Sequence, residues 1–155
     1  MNDFTIEFVD ELSNDIEIRM ERNFLDYERS RGIDVNFTKF SLILRDDNGA
    51  IIGAMNAYTA FAEIYVDDIW IDSPYRGRGY GRRLLQELVD RFKGKGFNNV
   101  NLVTSAFQAP EFYKKCGFSV EFVRENIKNP QLTKFFFIKY FEDEIQMQGI
   151  YKSKS

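Results

Sequence analysis

The 155-residue sequence predicts an α+β fold built on one mixed sheet. Three observations carry that reading. Two strand-like runs flank Asp46-Asp47-Asn48-Gly49, a strong hairpin turn signal. A third strand-like run, 61–72, passes through a glycine-rich turn into a helical period at 79–92. Another strand-like run follows that helix, which makes the helix a crossover and the two strands parallel. The expected architecture is an antiparallel N-terminal meander joined to a central β–loop–α–β unit.

Each element follows from local pattern. Residues 4–9 alternate apolar and polar side chains and read as a short strand. Over 10–31, Leu12, Ile16, Met20, Phe24 and Tyr27 recur at helical intervals, and Gly32 is a stop. Strands are expected at 39–45, 50–59 and 61–72, the last rich in β-branched and aromatic residues. In the helix at 79–92, Leu84, Leu85, Leu88, Val89 and Phe92 share a face, and Gly94 and Gly96 end it. A strand at 98–103 follows. Pro110 opens a short helix to Lys115, closed by Gly117. Strands at 119–124 and 134–141 bracket a polar loop at 127–133.

The apolar content of 44%, with sixteen Phe and eight Tyr, supplies bulk for one core. Residues 1–155 therefore read as a single domain, with 142–155 as a polar C-terminal extension. Lys and Arg total 21 against 24 Asp and Glu, a net charge of −3, which argues against a nucleic-acid partner. No run of about 18 apolar residues spans a membrane. The N-terminus carries early acids and no secretory pattern. One cysteine, Cys116, allows no intrachain disulfide and fits a reducing compartment, so a cytoplasmic location is expected. Histidine is absent, which removes Ser-His and Cys-His nucleophile pairs and most zinc sites, and no metal is expected.

The stretch 75–85, YRGRGYGRRLL, holds four arginines and three glycines between a strand end and a helix start. A helix N-terminus carries unpaired N–H groups and partial positive charge, and glycines let backbone wrap an anion. Gly77, Gly79 and Gly81 thus suit a diphosphate cradle, with Arg76, Arg78, Arg82 and Arg83 adding charge. A glycine-rich turn with solvated arginines is the plainer reading on spacing alone. Neither the G-x-G-x-x-G nor the Walker pattern is present.

With its flanks, Arg76-x-x-Gly79-x-Gly81 resembles the acetyl-CoA pyrophosphate signature of the GNAT family of N-acetyltransferases. The preceding Asp67-Asp68-Ile69-Trp70-Ile71-Asp72 looks like that family's central strand. Downstream, Ala109-x-x-Phe112-Tyr113-Lys114-Lys115-Cys116-Gly117-Phe118 is similar to its second motif. The resemblance runs from about 40 to 141 and implies a GNAT-like acyl-CoA N-acyltransferase fold. One departure is Ala106, where many members carry Asn; Ser105 or Gln108 stands close enough to replace it.

The resemblance implies acetyl transfer from acetyl-CoA to a primary amine by direct attack. Backbone amides from Arg78 through Tyr80 to Gly81 would hold the pyrophosphate, beside Arg76, Gly77 and Arg82. The pantetheine arm would pair with backbone near Ile69 and Ile71 by strand addition, and Ala109 and Phe112 would lie against the cofactor. An amine must lose a proton to attack. Asp67 and Asp68 interrupt an apolar run, and alternation points at least one of them toward a covered face unless a bulge intervenes. Asp67 is favoured as base, Asp68 as amine-binding or structural, and Glu63 is a third candidate. An acid–arginine pair without catalytic role is the alternative. Tyr113 matches the family's acid for the leaving thiolate; the plain alternative is a packing aromatic. Cys116 reads as a bystander. Acidic residues near the site suggest a small cationic amine; a protein lysine or N-terminus, or an acyl-CoA-binding module without catalysis, are the other readings. The aromatic last strand and polar tail are compatible with a homodimer.

Overall fold

The structure is a computed structural model and describes residues 4–141. The predicted polar extension 142–155 lies outside the described residues. The chain divides into two compact units, Met1–Val35 and Asn36–Ser155.

Among the described residues the first unit contains one helix, α1 (Asn14–Ser30). Ser13 starts it in an extended conformation, and its carbonyl accepts from the N–H groups of Ile16 and Glu17. This N-cap residue, rather than Asp10, sets the start. Asp15 and Glu17 in the first turn and Arg29 in the last complement the helix dipole. Gly32 ends it in a Schellman arrangement: Gly32 N–H donates to Arg29 and Ile33 N–H to Glu28. The strand expected at 4–9 does not form. Alternation alone does not make a strand, because the backbone groups need a ladder partner and this segment has none among the described residues.

Among the described residues the second unit holds six strands in the order β1-β2-β3-β4-β6-β5. They are β1 (Thr38–Arg45), β2 (Ile51–Ala60), β3 (Glu63–Ile71), β4 (Asn99–Ser105), β5 (Ser119–Arg124) and β6 (Lys134–Tyr140). The β1–β2 hairpin turns where the sequence predicts. There the Asp46 carboxylate accepts from the N–H groups of Asn48 and Ala50, each at 2.9 Å. Helix α2 (Tyr80–Phe92) links β3 to β4, which run parallel as expected. Helix α3 (Pro110–Lys115) links β4 to β5. All other strand pairs are antiparallel. Among the described residues no helix is long and apolar enough to cross a membrane.

The core lies between α2 and one face of the sheet. Leu84, Leu85 and Leu88 of α2 are buried with Met55, Ile64, Val66, Val100, Leu102 and Phe137. This matches the apolar face predicted for the helix. Each such side chain contributes about 1.5–3 kcal/mol on leaving water. On β1 the residues packed against this core are Phe40, Leu42 and Leu44, so Lys39, Ser41 and Ile43 lie on the opposite face.

Leu88 is fully buried. Leu88→Ala should therefore cost about 2–5 kcal/mol in urea denaturation. An unchanged midpoint would remove Leu88 from this core.

Candidate active site

β3 and β4 pair through only three positions: Glu63 with Asn99, Ile64 with Val100, and Tyr65 with Asn101. Beyond Tyr65 the two strands part. β2 remains paired with β3 as far as Ile71, and β6 with β4 as far as Ser105. The strands therefore splay, each held on its outer side. The backbone edges that face the gap have no ladder partner, which suits an extended ligand that pairs like a strand.

The splay coincides with a bulge. Asn56 pairs with Asp68 and Ala57 with Val66, so Asp67 is the extra residue on β3. Ile64 and Val66 face the core before the bulge, and Ile69 and Ile71 pack against it afterwards. Strict alternation would have sent one aspartate toward a covered face. The bulge absorbs the shift, and Asp67 and Asp68 are both exposed. Asp68 accepts from the Asn56 amide at 3.4 Å, and neither carboxylate has an ion-pair partner among the described residues.

Past β3 the chain makes a single 3-10 turn, Ser73–Tyr75, capped by the Asp72 side chain. Arg76 Nε then donates to the Ile71 carbonyl at 2.9 Å, tying the turn back to the strand end. Gly79 is the N-cap of α2 at φ +83°, a conformation that strains any residue with a Cβ. It provides no side-chain acceptor, so the first-turn N–H groups of α2 stay available to an anion. Gly81 serves a different purpose. A Cβ there would lie 2.9 Å from Cζ of Phe112, so its smallness lets α2 approach α3.

These elements enclose a cavity of about 580 Å³, within the range usual for small-molecule sites. Asp67, Asp68, Ile69 and Ile71 form its β3 wall, and the turn contributes Arg76, Gly77, Gly79, Tyr80, Gly81 and Arg82. Ala109, Phe112 and Tyr113 close it from α3. Arg78 is the exception among the expected cofactor contacts. It does not line the cavity, and its guanidinium lies over the Tyr75 ring at 5.7 Å. Glu63 lies outside the cavity too. It accepts from the Tyr65 hydroxyl and from Asn99 Nδ2, inside the closed end of the β3–β4 pairing.

Tyr113 is 8% exposed, its ring set among Phe112, Phe118 and Phe137. Burial, with a smaller contribution from Cys116, pushes its phenol up to about 12. The hydroxyl has no hydrogen-bond partner among the described residues and is not a fully buried orphan, and the residue lines the cavity. Burial also raises the Cys116 thiol, against the opposing pull of Arg82 and Lys139. That keeps it protonated and supports its reading as a bystander.

Of the two residues considered in place of the missing asparagine, Gln108 reaches the cavity and Ser105 does not. Gln108 Oε1 accepts from the Ser105 N–H at 2.8 Å. Sequence reading missed Tyr75, Val103, Thr104 and Lys115, which also line the cavity. Val103 and Thr104 lie at the carboxyl end of β4, where ligands of parallel strands collect, and that rule would have found them.

The description "Acetyltransferase (GNAT) family" matches residues 4–118. The chain belongs to the GNAT acetyltransferase family. It is 37% identical over 54 residues to glucosamine 6-phosphate N-acetyltransferase 1 of Oryza sativa subsp. japonica, covering 35% of this chain and 32% of that protein. The chain spans between about a third and just over half the length of the curated relatives it matches. A solved acetyltransferase of Bacillus cereus ATCC 14579 superposes with TM-score 0.71 at 26% identity, over 86% of this chain and 97% of that one. A GNAT family N-acetyltransferase of Escherichia coli, solved with CoA, shares the fold at TM-score 0.53 and 21% identity, over 80% and 68%.

The phenol of Tyr113 bears on stability at high pH. In the folded chain it holds its proton to about pH 12, whereas an unfolded tyrosine loses it near 10. Its stabilisation is complete below about pH 10 and is lost as pH rises toward 12. Tyr113→Phe should therefore lose stability less steeply than the parent over that window, measured by urea midpoints. Equal slopes would show that the phenol is not desolvated.

Proposed function

We propose that this GNAT chain transfers an acetyl group from acetyl-CoA to a primary amine by direct attack. The observation that carries this is one cavity bounded by an exposed carboxylate pair, a protonated phenol and an uncapped helix N-terminus. The uncapped first turn of α2 would hold the diphosphate, and the free edge of β3 beyond Tyr65 would pair with the pantetheine amides. Asp67 would take a proton from the ammonium group, directly or through water. The amine nitrogen then bonds to the thioester carbonyl carbon, and the carbon–sulfur bond breaks. Tyr113 would donate its proton to the departing thiolate, and the second proton of the acylated nitrogen would return to the Tyr113 phenolate, directly or through water, while Asp67 releases the first to solvent, leaving an N-acetyl amine and CoA. Asp68, steadied by Asn56, would bind the incoming cation. The two carboxylates without ion-pair partners favour an acceptor that carries positive charge.

Acetyl-CoA should raise the melting temperature, and by about 2.7 kcal/mol of stability at a hundred times its dissociation constant. No shift would remove the cofactor assignment. Given binding, thiol release should occur with a panel of amines, and Tyr113→Phe should slow it by about 10²–10⁴-fold without weakening CoA binding. Normal turnover in that variant would take Tyr113 out of the acid role. Binding without turnover on any amine, peptides included, would point to a non-catalytic acyl-CoA module.

The turn offers a separate test. Gly79→Val should weaken acetyl-CoA binding more than Arg78→Ala does, because the first distorts the backbone cradle and the second removes a side chain outside the cavity. The reverse ranking in titration calorimetry would mean that charge, not backbone approach, holds the phosphate.

A further inference from the structure

A second cavity, of about 370 Å³, adjoins the first through Asp67 and Asp68, which line both. Its other walls are Lys39, Phe40, Ser41, Asn56 and Ala57. Lys39, Ser41 and Asn56 lie on the sheet face opposite α2. Register fixes their arrangement. Ser41 pairs with Asn56 and Asn56 with Asp68, so the three form one row across β1, β2 and β3. The Ser41 hydroxyl donates to Asn56 Oδ1 at 2.7 Å, and Asn56 Nδ2 donates to Asp68 at 3.4 Å. That chain of bonds fixes the amide so that its donor end faces the carboxylate. Lys39 belongs to the neighbouring row, opposite Tyr58, whose ring stacks on Tyr65 at 4.8 Å.

Lys39 has no carboxylate partner among the described residues, and nor do Asp67 and Asp68. A cation and two anions thus line one cavity without neutralising one another. Two strand spacings and two residue rises separate Lys39 from Asp68, roughly 12 Å between Cα atoms. The lysine side chain shortens that gap, and a compact molecule spans the remainder.

We infer that this cavity seats the acceptor, and that the acceptor is an amine which also bears an anionic group, such as a phosphate or carboxylate, several bonds from the nitrogen. The inference rests on the acetyl-transfer reading and deepens it. The amine lies at the shared wall of Asp67 and Asp68, beside the cleft where the thioester would lie. The anion lies at Lys39. A purely cationic polyamine would leave Lys39 facing like charge.

Matched pairs of amines test it: glucosamine against glucosamine 6-phosphate, and butylamine against γ-aminobutyrate, with spermidine as a purely cationic probe. In each pair the anionic member should have a kcat/KM at least about tenfold higher, the size expected of one charge-assisted hydrogen bond. Lys39→Ala should bring the ratio within each pair toward one through KM, Lys39→Glu should invert it, and Lys39→Arg should keep it. Equal kcat/KM within the parent's pairs, a preference for spermidine, or a ratio that survives Lys39→Ala would overturn the inference while leaving acetyl transfer standing. If no amine, peptides included, supports thiol release, both readings fall, and the acetyl-CoA melting shift then separates a failed acceptor reading from a failed cofactor reading.

Discussion

The parallel pairing of β3 with β4 ends after three positions, and the rest of the site depends on that ending. A fully zipped sheet would leave no space between Ile69 and Val103. Two devices keep the closed end closed and the open end open. At the closed end, Asn99 is 1% exposed and donates to Glu63, which also accepts from Tyr65; Asn101 donates to Asn99 at 2.8 Å. A buried amide of this kind is costly unless satisfied, so these bonds favour this register over its neighbours. At the open end, the bulge at Asp67 adds a residue to β3 and bends it. β6, bonded along the whole of β4, prevents that strand from following.

The same constraint explains the electrostatics. A carboxylate in the middle of a regular strand would alternate into the core or onto a packed face. The bulge places two consecutive acids on exposed backbone at the point where the sheet opens. Asp68 is then tethered across β2 to Ser41, whereas Asp67 is the residue with no register partner. One is braced and the other is free to approach a ligand from either cavity. That difference supports assigning them unequal roles, although they are neighbours of the same type.

Much of this was legible in the sequence, because it was encoded locally. The hairpin at Asp46–Gly49, the crossover helix and the helix at Pro110 each carry their own turn or capping signals, and their bounds fall within one or two residues of expectation. The failures share a cause. Residues 4–9 have the alternation of a strand, but a ladder needs a partner that no local pattern specifies. The sequence leaves the facing of Asp67 and Asp68 conditional on a bulge, and a bulge is a relation between two strands. Val103 and Thr104 became cavity residues only because the strands part beside them. Arg78 is expected at the cradle through its backbone amide; its guanidinium lies over Tyr75 and the residue does not line the cavity. Arginines in a glycine-rich turn have several aromatic and carbonyl partners within reach, and sequence does not choose among them.

The glycines of the turn show how one composition can hide several constraints. Gly79 answers a backbone need, because its positive φ turns the chain into α2 and leaves the first-turn N–H groups uncapped. Gly81 answers a packing need, since the Phe112 ring occupies the place where a side chain would go. Phe112 is next to Tyr113 with ring centroids 5.0 Å apart, and Tyr113 in turn packs on Phe137 of β6. The contact at Gly81 therefore links the α2 end of the cavity to the phenol. A larger residue there would force the Phe112 ring, which packs on Tyr113, to shift. Spacing of the glycines alone suggests three equivalent positions; the geometry gives Gly79 a left-handed turn into α2 and Gly81 a close approach to the Phe112 ring.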